Sequence, residues 1–332
     1  HPKLNFVSIN LSDLTNDFIN KIKNDQRIVL FTALSDNINF IKRRCIFIKN
    51  MNALNTVPII VSESYKDIPL EKVQINASID IGGIFIDGLG DGLFISDNTV
   101  SIKDPQTRAH SYGIQAGGGS DSYRSDVHDN YVTVVGAPSG IWADYADIYN
   151  NYVTTGEELD HYNWAIGHGH YNNIYNNQII GGFDSGIQVD DRWDNVIEDN
   201  YMEIQHHGIY ASGANGTHVY RNNVIKRLNT YGNHAGDGHW FIYTAHDMDS
   251  LTIVGNDMQQ GDISGSGVHV HDNGNVVLEM HDNQIKAEHY GAYFHKVTMD
   301  VHHNLFNIQR DSNVDYDVIR IHNENTGDPE GS

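Results

Sequence analysis

The chain has 332 residues, with 31 Gly, only 6 Pro, and a formal charge of −22 from 43 acidic against 21 basic residues. That charge repels polyphosphates and excludes nucleic acid as an expected partner; it also disfavours a polyanionic glycan at long range unless a cation or a local basic patch intervenes. The single Cys45 excludes an intramolecular disulfide framework and any Cys-based zinc spacing, and reads as a buried thiol.

Residues 1–35 read as an N-terminal cap. No signal peptide is formed by His1-Pro2-Lys3, so any export signal is absent from this sequence. Leu14, Phe18, Ile19 and Ile22 fall at helical spacing, with Ser12 or Thr15 as N-cap. The helix precedes a strand from Arg27 to Leu34, and an amphipathic helix there can cover the open end of a stack of strands. No run of about 18 apolar residues follows anywhere, so no membrane span is expected.

From Ile38 to Ile102 the β-rich runs are short: Ile38–Ile41, Cys45–Ile48, Pro58–Val61, Ile79–Ile81, Ile84–Ile86 and Leu93–Ile95. Only a few residues separate most of them, which leaves no room for crossover helices. Beyond residue 110 a phrase recurs in which Asp, Asn or His, and once Gly, precedes Asn. It places Asn at 130, 151, 177, 200, 223, 256, 283 and 304, at intervals of 21, 26, 23, 23, 33, 27 and 21 residues. A second phrase, a small residue and then an aliphatic one, interleaves with it, as in Gly113-Ile114, Gly140-Ile141, Ala165-Ile166, Gly186-Ile187, Gly208-Ile209 and Gly267-Val268.

A period in this range marks one supersecondary unit repeated, each too small to bury its own apolar face and therefore stacked on its neighbours. With short strands and no helical periodicity, the unit is one coil of an all-β solenoid. The recurring Asn is expected at the same corner of every coil, its amide bonded to the corners above and below. The alternation of Ser-Gly-Ile with Asn-Asn-aliphatic resembles the right-handed parallel β-helix superfamily of pectate-lyase-like proteins. The resemblance covers about residues 27 to 325, so a single β-helix over 36–325 and a frayed polar tail over 326–332 are expected.

Period-two alternation predicts which side chains leave the core. One outward column is Gln115, Trp142, Gly167, Gln188, Tyr210, Tyr243, His269, Tyr293 and Arg320. A second, two positions on, is Gly117, Asp144, Gly169, Asp190, Ser212, Ala245, His271, His295 and His322. With coils about 4.8 Å apart, each column is a stripe. Exposed Trp and Tyr in a row stack on sugar faces, or else on one another as a ladder that stabilises the sheet. In the resembled superfamily this face commonly forms the sugar cleft, which makes Trp142, Gln188, His206, His207, Tyr243, His269 and Tyr293 the candidate substrate contacts.

The densest chemistry lies in three successive coils, which carry Asp144, then His168 and His170, then Asp190-Asp191-Arg192. If Asp144 and Asp190 are in register two coils apart, their backbones lie about 9.6 Å apart, which allows the carboxyl separation of inverting glycoside hydrolysis. The Asp-Asp and Gly-His-Gly are similar to those of polygalacturonase-type hydrolases, but their order is reversed and the Asn-Thr-Asp and Arg-Ile-Lys motifs are missing. A lyase or C5-epimerase instead needs a base, a donor to the leaving oxygen, and neutralisation of a uronate carboxylate. His168, Tyr210, Arg192 and His206 or His207 can fill these roles, with Asp144, Asp190, Asp191 or Asp194 as oxygen ligands for Ca²⁺. The Asp-Pro-His motif of mannuronan epimerases does not occur.

The longest interval holds an insertion from Asn229 to His239, with His234, Asp237 and His239 spaced for a metal or simply a polar loop. His269, His271, His295 and His322 form an imidazole stripe that gains charge below about pH 6.5. Three sequons, at Asn10, Asn76 and Asn215, are unremarkable in so Asn-rich a chain. The expectation is a secreted or virion-surface protein acting on a polysaccharide as lyase, epimerase or hydrolase. The other class is a non-catalytic glycan-binding spike, trimeric as β-helical spikes can be.

Overall fold

The computed structural model describes residues 5–10, 15–23, 25, 28–33, 59–62, 92–96, 98–104, 112–117, 124–136, 139–158, 163–167, 169–190, 193–213, 215–227, 239–245, 248–261, 265–271, 276–309 and 317–322. The chain divides into two compact units, His1–Ser96 with Gly118–Asp126, and Asp97–Gly117 with Val127–Ser332.

In the first unit, strands Asn5–Asn10, Ile28–Ala33, Ile59–Ser62 and Gly92–Ser96 pair in that order, all parallel. The helix forms where the apolar spacing places it, over Asn16–Ile22. Thr15 is the N-cap, its hydroxyl accepting from the Phe18 N–H at 3.3 Å. Asp17 in the first turn and Lys21 in the last suit the helix dipole, and Ile19 and Ile22 are its buried face. The strand before the helix was not legible in the sequence. It makes the helix the crossover of a parallel strand-helix-strand unit, the connection that two parallel neighbours require. The expected strands at Ile38–Ile41, Cys45–Ile48, Ile79–Ile81 and Ile84–Ile86, with Cys45 itself, lie outside the described residues.

The second unit is a solenoid of three parallel sheets. On the first, seven strands succeed one another from Ala146–Tyr149 to Thr298–His302. The second sheet has nine, from Thr99–Asp104 to Leu305–Ile308, and the third nine, from Tyr112–Gly117 to Ile319–His322. Each coil contributes one strand to each sheet. The interior is filled by columns of like residues, among them Ile141, Ile166, Ile187, Ile209 and Ile242, all fully buried.

The corner between the first and second sheets is the predicted asparagine ladder. Asn98, Asn130, Asn151, Asn177, Asn200, Asn223, Asn256, Asn283 and Asn304 are joined Nδ2 to Oδ1 at 2.8–3.1 Å. Each Oδ1 also accepts the backbone N–H of the preceding Asn, and each Nδ2 from Asn151 on also donates to a carbonyl of the coil before. The residue ahead of the Asn turns the corner with positive φ: Asp129, Asn150, Asn176, Asp199, Asn222, Gly255, Asp282 and His303, at 53–66°. Asp, Asn and Gly tolerate that left-handed conformation best, which is why the sequence reads Asp-Asn or Asn-Asn.

The second phrase also has a steric cause. At Gly140 a Cβ would collide with the Ala165 carbonyl oxygen of the next coil, and at Gly186 it would stand 2.8 Å from that of Gly208. Adjacent backbones approach too closely there for most side chains.

Asn200→Leu removes an amide that donates to Asn223 Oδ1 and Ile174 O and accepts from Asn177, all of them buried. The expected loss is about 2–4 kcal/mol, read by urea unfolding; an unchanged midpoint would contradict the ladder.

Candidate functional site

The third sheet sets its outward side chains in register. Gln115, Trp142, Gly167, Gln188, Tyr210, Tyr243, His269, Tyr293 and Arg320 pair Cα to Cα in unbroken succession. In the second column Gly117 pairs Asp144, and Asp190, Ser212, Ala245, His271, His295 and His322 follow one another. Both predicted columns therefore exist, with one gap.

The gap is a notch. The strand Trp164–Gly167 stops at Gly167, whereas its neighbours Ser139–Asp144 and Ser185–Asp190 run on to their aspartates. Gly167 stands between Trp142 and Gln188 and carries no side chain to stack on the indole. Asp144 and Asp190 each lie two residues beyond a partner of Gly167, so their backbones are about 9.6 Å apart across the notch. Tyr112 leans against Trp142 and Trp164 with centroids at 5.9 and 6.3 Å, tilted by 35° and 41°. These three rings do not stack flat on one another.

The Asp144 carboxylate has a local task as well. Its Oδ1 accepts the His170 N–H at 2.7 Å, closing the corner that follows the notch. That corner holds Tyr145 and Tyr171 at φ 46° and 53°, their rings stacked at 4.9 Å. Left-handed backbone at a bulky residue is costly, and such residues gather where a fold is committed to one local geometry. Asp194 is used in the same way as Asp144: its Oδ1 accepts the Thr217 N–H at 2.6 Å. Among the described residues no three His, Cys, Asp or Glu converge to hold a metal. His168, Asp191, Arg192, His234 and Asp237 lie outside those residues, and Asp190 is described by its backbone alone.

Further along the third sheet the face becomes aromatic and imidazole. Tyr210 and Tyr243 stack at 5.1 Å and 7°, so at this pair the rings cover each other's faces in a sheet-stabilising ladder. The ladder breaks at His269, which meets Tyr243 edge-on at 4.9 Å and 83° and touches Trp240 and Tyr293 at 4.8 and 4.9 Å. Beyond it, the Arg320 guanidinium lies over Tyr293 at 5.6 Å and donates to the Tyr290 hydroxyl at 3.5 Å. Arg320 is an exposed cation of this face.

Two expected contacts are corrected. Gln188 is only 6% exposed and His206 3%, so neither presents a free surface to a ligand. Alternation gives the direction of a side chain but not what covers it. His206 Nδ1 is 3.0 Å from Asp184 Oδ1, and its ring lies 4.4 Å from His239, the last residue of the insertion. His207 is held by its Nδ1, which accepts the Trp240 N–H at 3.2 Å. Its neutral form therefore carries the proton on Nε2.

Trp240 and Tyr290 are participants that sequence reasoning passed over. The first is in register with Ser266, in a column that also holds Tyr112, Ser139, Trp164, Ser185 and His207, and Phe241 after it stands where the next coil has Gly267. That departure from the repeat was the available signal.

The imidazoles resist charging. Burial pushes His269 down to about 3, and His271 and His295 add repulsion. His207 also falls to about 3, through burial first and then His239, with Asp184 opposing. Burial, His322 and Lys296 lower His295. Burial raises Tyr243, which keeps its proton. A histidine depressed on folding binds protons in the unfolded chain first, so its stabilisation is complete above about pH 6.5 and is lost as pH falls towards 3. Urea stability is thus expected to decline from pH 7 to 4, and His269→Leu to remove about 2–3 kcal/mol of that decline. Parallel pH profiles for the two proteins would disprove the assignment.

Among curated proteins, the chain is similar over 92 residues to 4-hydroxy-3-methylbut-2-en-1-yl diphosphate synthase (flavodoxin) of Parabacteroides distasonis, at 25% identity. The match covers 28% of this chain and 15% of that protein. No solved structure matches. Residues 82–258, more than half of the sequence, match the family model for the right handed beta helix region. With its three parallel sheets and in-register coils, the chain belongs to the right-handed parallel β-helix family.

Proposed function

We propose that this protein is an extracellular polysaccharide-active enzyme that works along the third sheet as a lyase or C5-epimerase on a uronate-containing glycan. The observation that carries the reading is the unbroken column Tyr210, Tyr243, His269, Tyr293 and Arg320, one residue per coil. Its spacing of about 4.8 Å offers successive contacts to an extended chain. Arg320 supplies the positive charge that a uronate carboxylate needs, in a chain otherwise strongly acidic. Tyr210 and Tyr243 offer phenolic donors for a leaving oxygen. His207 and His269 stay neutral, and a value near 3 makes His269 a weak base. Proton abstraction falls to His168 or to Tyr210.

A second reading, glycoside hydrolysis, is favoured by the notch. Asp144 and Asp190 flank it at backbone positions compatible with two carboxyls about 6.5–9.5 Å apart. The non-catalytic glycan-binding reading keeps the same surfaces and drops the chemistry.

Incubation with a panel of uronate and neutral polysaccharides separates the three. Unsaturated uronate absorbance selects a lyase, reducing ends alone a hydrolase, and an NMR change without cleavage an epimerase. For the lyase or epimerase reading Tyr210→Phe is expected to lower kcat about a hundredfold or more, with the fold intact. For hydrolysis the loss should instead follow Asp190→Asn. Binding without turnover of any substrate would sink the enzyme reading.

A further inference from the structure

Two neighbouring imidazoles are held in opposite tautomers. His206 Nδ1 lies 3.0 Å from Asp184 Oδ1, and because an ionised carboxylate only accepts, that nitrogen carries a proton. His207 Nδ1 instead accepts the Trp240 N–H at 3.2 Å. A backbone amide can only donate, so the proton of the neutral His207 ring sits on Nε2.

The remaining nitrogens differ too. His206 Nε2 is covered by the packing around it. His207 is half-buried, and its Nε2 is neither covered nor bonded to an acceptor among the described residues. The His207 ring leans across the stacked phenols of Tyr210 and Tyr243, with centroids at 5.2 and 5.7 Å and tilts of 51° and 52°. The titratable and charged groups around it are Asp184, His206, Tyr210, Arg227, His239 and Tyr243. Burial first and then His239 hold the imidazole down to about 3, with Asp184 opposing. Its Nδ1 lone pair is occupied and its Nε2 is already protonated, so His207 has no site that can take a proton from a substrate.

We propose that His207 is a fixed hydrogen-bond donor of the glycan face, its Nε2–H directed at an acceptor oxygen of the sugar chain beside Tyr210 and Tyr243. The inference rests on the function proposed above and narrows it: a hydroxyl, ring or carboxylate oxygen satisfies this donor, and a protonated amine does not. His207 is a binding residue and not the base.

The tautomer is read without any ligand. In long-range ¹H–¹⁵N spectra of the full chain, His207 should show an unprotonated Nδ1 and a protonated Nε2, unchanged from about pH 7.5 to about pH 5. The other tautomer, or titration in that window, would overturn the proposal. Two variants then separate the outward donor from the bond to Trp240. His207→Asn keeps an oxygen for the Trp240 N–H and loses the donor, whereas His207→Gln keeps a donor near the Nε2 position. With polygalacturonate, alginate and xylan as probes, His207→Asn should weaken whichever binding the wild-type protein shows by about fivefold to tenfold, equally at about pH 7.5 and about pH 5. His207→Gln should weaken it by less than about threefold. A purely structural role would reverse the order of the two variants. Equal binding by the wild type and His207→Asn overturns the donor and leaves the glycan reading standing, and a wild-type protein that binds none of the probes overturns both.

Discussion

Everything on the third sheet depends on register, and register in the solenoid is pinned by the asparagine corner. A parallel strand shifted by one residue turns every inward side chain outward. The buried amide of each Asn forbids this, because its Oδ1 and Nδ2 reach the equivalent Asn of the next coil only when the corners coincide. The left-handed residue before each Asn fixes the direction in which the chain leaves the corner. Two outward columns then stay aligned along the sheet, and their alignment is what makes separate coils into a surface.

This division of labour explains which parts of the molecule were legible in the sequence. The asparagine at every coil, the small residue ahead of the aliphatic and both outward columns could be read, because each is repeated and repetition overdetermines it. Coverage was not legible. Gln188 and His206 follow the outward pattern and are buried by neighbours that a period-two rule does not contain. The second tasks of Asp144 and Asp194, accepting backbone N–H groups at corners, depend on where the next coil passes, which alternation also omits. The strand at Asn5–Asn10 was invisible for a related reason: six residues before a helix declare themselves only through their partner, Ile28–Ala33.

The departures from the repeat carry more information than the repeat itself. At Gly167 the Trp164 ring and the Gln188 carbonyl take the place of a side chain, and the strand ends there early. Trp240-Phe241 stands where the next coil has Ser266-Gly267, and its indole lies against His269. Both depart from the repeated coil, the first by lacking a side chain and the second by setting Phe241 where the neighbouring coils have Gly208 and Gly267. Their cost is tolerated on the face that a ligand would meet, and the opposite corner keeps its asparagine in every coil.

Electrostatics then decides what sort of ligand that face suits. Protonated histidines would give a row of cations, but burial keeps His207 and His269 neutral, so the aromatic stretch recognises by shape and hydrogen bonds. Among the described residues of this face, net attraction for an anion comes from the exposed guanidinium of Arg320, anchored on Tyr290 and Tyr293. A chain of charge −22 cannot draw a polyanion from a distance and can hold one only through such a local contact. Affinity for a uronate glycan should therefore rise as salt screens the general repulsion and fall again when the Arg320 contact is screened too. A neutral glycan held by the same rings would show no such maximum, so the salt dependence of binding distinguishes recognition of the carboxylate from recognition of the sugar ring alone.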